Sequence, residues 1–153
     1  MVRAPFNVLV IPFLRHGDDA LLYCVLRRAD EGWWQWIAGG GEDDETPIAA
    51  AQRETMEQAS LTGPFFALSS QARVPVNAFS ARNHWPADLY VIPEHHFAVA
   101  ARSREIKLSQ EHSEFRWLPY NEAFALLRWQ SNQTALWELA ERLSRDDLKA
   151  VEP

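Results

Sequence analysis

The sequence predicts a mixed β-sheet sandwiched between helices, α/β or α+β in class. Three observations predict it. Residues 6–14 and 20–28 are apolar runs rich in Val, Ile and Leu, split by a polar break that contains Gly17. Residues 48–59 carry four alanines and no internal breaker, as a helix requires. Beyond residue 120, Leu and Trp recur at helical spacing. The order strands, helix, strands, helices gives a layered sheet with helices against it.

The elements follow in order. Residues 6–14 (FNVLVIPFL) read as a central strand, although 7–14 superficially resembles a signal-peptide core. The run contains Pro12 and is followed by Arg-His-Gly-Asp-Asp instead of a small-residue cleavage site. Residues 15–19 make a turn, and 20–28 return as the second strand of a hairpin. Residues 33–38 (WWQWIA) are extended and end at Gly39-Gly40-Gly41. An acidic loop, 42–45, precedes Thr46-Pro47, where threonine caps a helix and proline takes its first position. Residues 61–64 end that helix. Residues 65–76, 95–101 and 115–118 are strands, and 77–93 is a long irregular stretch. Residues 121–129 and 133–143 are amphipathic helices, with Leu136, Trp137, Leu139, Ala140 and Leu143 predicted as a core stripe.

The 153 residues suit one domain, taken as 1–153, with no internal repeat or linker. The apolar share of 47% and charged share of 24% exclude a disordered or collagen-like chain. A formal charge of −6 argues against a nucleic-acid partner held by phosphate contacts. No stretch approaches the roughly 20 apolar residues of a membrane helix, so no membrane partner is expected. The lone Cys24 permits no intrachain disulfide and points to a reducing, cytoplasmic compartment. Of His95 and His96, alternation across a strand turns one inward.

The chemistry concentrates in residues 39–61 (GGGEDDETPIAAAQRETMEQASL). On the predicted helix Glu54 and Glu57 are three apart and share a face with Gln58. Two such carboxylates repel unless a cation sits between them. Helix-mounted oxygen ligands with room for water and phosphate oxygens describe a Mg²⁺ site, with Mn²⁺ as an alternative. The upstream glycines let the backbone approach the helix, and a carbonyl at Gly39 is a further oxygen donor. Arg53, expected to point away from Glu54, can reach back to Glu45 and pin the loop. A solvated helix face is the bland alternative for Glu54 and Glu57.

This segment resembles the Nudix box, G-x5-E-x7-R-E-U-x-E-E-x-G-U, with U aliphatic. Gly39, Glu45, Arg53, Glu54, Glu57 and Leu61 fall in register. Thr55 stands for an aliphatic, Gln58 for the last glutamate and Ser60 for the last glycine. A glutamine has less charge to hold a cation, and Ser60 falls where a left-handed residue favours glycine. Beyond the box, Trp34-Gln35, the run Glu111-His112 with Phe115-Arg116-Trp117-Leu118, and Trp129-Gln130-Ser131-Asn132 are similar to the branch that includes dihydroneopterin triphosphate pyrophosphatases and dATP pyrophosphohydrolases.

That resemblance implies the Nudix fold and a pyrophosphohydrolase in which water attacks the phosphate chain of a nucleoside or pterin triphosphate. It implies metal ligation by Glu54, Glu57 and Glu111, with Gly39 and Gln58 assisting, and Glu57 or Glu111 as general base. Arg27 and Arg28 are candidates to face the phosphates. Trp34 and Trp85 are candidates to stack on a ring, with a core role open for Trp34. His112 is placed either beside Glu111 as a tuner or on the surface. A nucleotide-sugar or dinucleotide hydrolase, and a non-catalytic nucleotide-binding module, are the alternatives.

Overall fold

The computed structural model describes residues 2–17 and 20–152, so Asp18 and Asp19 of the first predicted turn lie outside the described residues. Eight strands and three α-helices follow in order: β1 (Arg3–His16), β2 (Ala20–Arg28), β3 (Trp34–Gln35), β4 (Ile37–Glu42), α1 (Pro47–Ala59), β5 (Phe65–Pro75), β6 (Val91–Ala100), β7 (His112–Leu118), α2 (Tyr120–Leu126), α3 (Gln130–Ser144) and β8 (Lys149–Ala150). The chain thus has the mixed α/β fold that the sequence predicts.

β1 is the spine. One edge pairs in parallel with β6, from Asn7 against Glu94 to Phe13 against Ala100. The other edge is shared: β4 pairs with residues up to Val10, and β2 takes over from Phe13 to His16. The partner strands therefore diverge, and β2 goes on to pair with β7 and β3.

The period-two alternation of β1 assigns its faces. Val8 and Val10 pack with Ile37, Ala50, Ala51 and Phe97 under α1. Leu9, Ile11 and Phe13 pack with Trp36, Leu136 and Leu139 under α2 and α3. Trp36 is fully buried and ties β4 to the start of α3. Its backbone N–H donates to Asn132 Oδ1 at 3.1 Å and its indole N–H to the Asn132 carbonyl at 2.9 Å.

The structure corrects several expectations. The glycine triplet lies inside β4 and does not terminate the strand, because its backbone is paired with β1. Trp137 is 54% exposed while Leu136, Leu139 and Leu143 are buried, so the core stripe of α3 is aliphatic. The irregular stretch contains two short 3-10 turns, Val76–Ala78 and Ser80–His84, and β6 begins at Val91. β8 was missed because two residues carry no periodicity. Cys24 is buried, and burial pushes its thiol far up, which leaves it unreactive. Among the described residues no helix is long and apolar enough to cross a membrane.

Candidate active site

α1 opens as its sequence dictates: Thr46 Oγ1 accepts the Ala49 N–H at 3.3 Å, and Pro47 holds the first position. It closes at Ser60, whose φ of 58° is left-handed and whose N–H donates to the Met56 carbonyl. Thr55 is fully buried on the inner face, in the place of an aliphatic.

Arg53 organises the outer face. Its Nε and Nη2 grip Glu45 at 2.8 and 2.9 Å, a bidentate pair between helix and loop. Nη2 also donates to the Gly40 carbonyl at 2.7 Å. Contrary to the sequence expectation, Arg53 does not turn away from Glu54. Its Nη1 lies 2.8 Å from Glu54 Oε1 and 3.4 Å from Glu57 Oε2, because two neighbouring carboxylates draw a cation between them. The Arg53 hydrogen bond holds the Glu45 carboxyl below its ordinary range.

Glu54 is buried under β4. A Cβ on Gly39 would overlap its carboxylate, so only glycine lets the strand pass so close. Burial pushes the Glu54 carboxyl up, against the hydrogen bonds from Arg53 and Gln58. Gln58 donates through Nε2 to Glu54 Oε2 at 2.5 Å and to the Ala38 carbonyl at 2.8 Å. Its Oε1 is buried with no hydrogen-bond partner. Glu57 is half-exposed. Two carboxylates and an amide oxygen with no donor are chemically suited to a hard divalent cation. Gly39→Ala is expected to displace Glu54, lowering turnover by about 10²-fold and stability by about 1–3 kcal/mol. Steady-state kinetics and thermal unfolding check both.

Glu111 is not brought to this group. It is exposed, and its Oε2 accepts from Ser109 Oγ at 3.4 Å. Among the described residues no three His, Cys, Asp or Glu side chains gather as a metal set. His112, by contrast, is buried with both ring nitrogens unpartnered, which corrects its surface placement. Burial and the neighbouring Arg28 bring its pKa down to about 4. The unfolded imidazole titrates near 6.5, so between those values the unfolded state binds more protons. Stability therefore falls as pH drops from about 6.5 to 4, by about 3 kcal/mol, and His112→Gln should flatten that slope in denaturant titrations.

On the opposite face of the sheet lies a cavity of about 650 Å³, within the range of small-molecule sites. β4 joins it to α1: Ala38 lines the cavity while its carbonyl binds Gln58. Of the sequence-predicted substrate contacts only Arg28 lines it, with its guanidinium held by Asp30 at 2.7 Å. Arg27 Nε donates to the Gly32 carbonyl at 2.8 Å. Trp34 lies under Arg116, 4.7 Å from its guanidinium carbon to the ring centroid. Trp85 donates its indole N–H to the Arg3 carbonyl at 2.9 Å. None of these three is a lining residue.

The lining aromatics are Trp33 and Trp129, edge to face at 5.4 Å, with Arg128 over both rings. Sequence reading missed them as site residues. The tryptophan pair 33–34 offers no signal for which ring turns inward, although the Trp129-Gln130-Ser131-Asn132 run had drawn notice.

Comparison with known proteins gives four further findings. The family model of the NUDIX domain matches residues 4–138. A Listeria monocytogenes protein of known crystal structure, assigned to the NUDIX hydrolases, superposes with a TM-score of 0.86 and 42% identity, covering 97% of this chain and 100% of the other. The asymmetrical bis(5'-nucleosyl)-tetraphosphatase of Mus musculus is 29% identical over 84% of this chain and 88% of its own length. The dihydroneopterin triphosphate diphosphatase of Escherichia coli K12 is 26% identical over 88% and 91%.

Proposed function

The chain belongs to the NUDIX family and is a Nudix hydrolase acting on pyrophosphate bonds, and from that premise we propose that its substrate is a nucleoside or pterin triphosphate, cleaved with Mg²⁺ held at Glu54 and Glu57. The family generally uses a divalent metal, and its substrates are nucleotide-like small molecules. The observation that carries the proposal is the pairing of Glu54, Glu57 and the unpartnered Gln58 oxygen with a ring-sized cavity across β4.

When bound, the cation neutralises phosphate oxygens and makes the attacking water more acidic. Gln58 and Arg53 fix the Glu54 carboxylate from both sides, so its orientation is set before substrate arrives. Glu57, half-exposed on the same face, and Glu111, in the turn just before β7, are the two carboxylates proposed to accept the water's proton. Arg28 stands at the cavity wall for the phosphate chain, and Trp33 with Trp129 for the ring. Trp34 and Trp85 retain their ring-stacking assignment only if the loops around them rearrange on binding. One domain spanning 1–153 suffices for this arrangement.

A second reading is favoured by the Mus musculus relative: cleavage of a dinucleoside polyphosphate. A panel of deoxynucleoside triphosphates, dihydroneopterin triphosphate, a dinucleoside tetraphosphate and ADP-ribose, with chromatographic identification of products, separates the two. Turnover of triphosphates to monophosphate and pyrophosphate is expected. Turnover of the tetraphosphate alone would replace the first reading with the second.

A further inference from the structure

A largely buried polar chain runs from α3 along one face of the sheet to the cavity, and the hydrolytic chemistry of α1 does not use it. Glu94 lies on β6, in register with Asn7 of β1 and Ala72 of β5, and all three residues line the cavity. It is 8% exposed. Its Oε1 sits 2.9 Å from His96 Nε2, and His96 is itself buried on the same face. His96 Nδ1 is 3.1 Å from Ser70 Oγ. The Ser70 backbone N–H donates to Glu138 at 2.7 Å, and Arg142 holds Glu138 at 2.7 Å. A carboxylate in this position is anchored through three elements.

We infer that Glu94 reads the substrate's ring by accepting hydrogen bonds from an adjacent amino group and ring N–H, the edge shared by guanine and pterin. An ionised carboxylate only accepts, and it has about four lone-pair positions. His96 occupies one of them. Among the described residues no protein donor reaches Oε2. A buried acceptor facing a cavity favours a ligand with N–H donors and penalises one with acceptors. Guanine and pterin present two parallel N–H groups that match the two carboxylate oxygens. Adenine presents its amino group beside a ring nitrogen lone pair, which would face an oxygen lone pair. Trp33 and Trp129 in the same cavity supply apolar faces for the ring.

The inference rests on the nucleotide reading above but is tested without hydrolysis. Calorimetric titration of the wild-type protein with GMP, IMP and AMP removes from the guanine edge first its amino group and then its ring N–H. GMP should bind at least about tenfold tighter than AMP, with IMP, which keeps the ring N–H and lacks the amino group, between them. Glu94→Gln replaces one acceptor by a donor and presents the amide pattern that pairs with adenine, so it should invert the order toward AMP. Equal affinities in the wild type overturn the proposal, as does a GMP/AMP ratio unchanged in a folded Glu94→Gln protein. Should that variant not fold, the wild-type series with IMP decides alone. Parallel assays of dGTP and dATP hydrolysis separate the two readings. A GMP preference without turnover of dGTP, dATP or dihydroneopterin triphosphate would remove the triphosphate reading and leave the role of Glu94 standing.

Discussion

Glu57→Gln is expected to leave a folded protein whose triphosphate hydrolysis falls by about 10³-fold. The size follows from losing the proposed cation ligand and a candidate proton acceptor in one substitution. The fold should be spared, because the Glu57 side chain is 55% exposed and its ionic partner among the described residues, Arg53 at 3.4 Å, is also gripped by Glu45 and Glu54. Exposed ion pairs of this kind are worth little, so the melting temperature should stay within about 2 °C of the wild type. The same assay on Glu111→Gln ranks the two glutamates. A drop at Glu57 alone would place both tasks on α1, and equal drops would require the Glu111 loop to move inward when substrate binds.

Arg53→Ala is expected to act the other way, through the fold first. One guanidinium holds Glu45, the Gly40 carbonyl and Glu54, and only about a fifth of its side chain is exposed. Its removal leaves two largely buried carboxylates without their cationic partner and the Gly40 carbonyl without the Arg53 donor, a change that costs about 3–5 kcal/mol. For a chain of this length that lowers the melting temperature by about 10 °C. Arg53→Lys should recover only part of the loss, since an ammonium cannot grip Glu45 with two parallel bonds while reaching Gly40. Part of the clamp is also pH-dependent. The folded Glu45 carboxyl titrates below its unfolded value, so its stabilisation is present above the unfolded value and lost as pH falls through the folded one. Thermal melts between pH 7 and 3 should show that loss in the wild type and a smaller one in Arg53→Ala.

The α1 machinery was legible in the sequence because its geometry is local. A cap, a proline and a breaker-free run fix the helix, and the helical period then fixes which of Arg53, Glu54, Glu57 and Gln58 share a face. Glu45 is only eight residues from Arg53, so the pair needs one turn of loop and no tertiary information. The cavity was not legible, for the opposite reason. Glu94 reaches Asn7 only because β6 pairs in parallel with β1, a register that nothing in either strand announces. Trp33 and Trp34 are neighbours in sequence, but one lines the cavity and the other lies under Arg116 on a two-residue strand too short to show alternation. His96 shows the intermediate case. Alternation indicated that one of the two histidines turns inward, but its partners, Glu94 and Ser70, come from the strand itself and from a neighbouring strand whose register shifts between Ala67 and Gln71.

The account depends on a divalent cation entering between the side chains of α1. Anomalous diffraction from a crystal soaked in Mn²⁺ measures that directly. The expected result is a peak about 2.0–2.4 Å from carboxylate oxygens of Glu54 and Glu57, with Arg53 withdrawn from between them but still holding Glu45. A fully occupied Mn²⁺ peak elsewhere, with Arg53 still bridging Glu54 and Glu57, would contradict it.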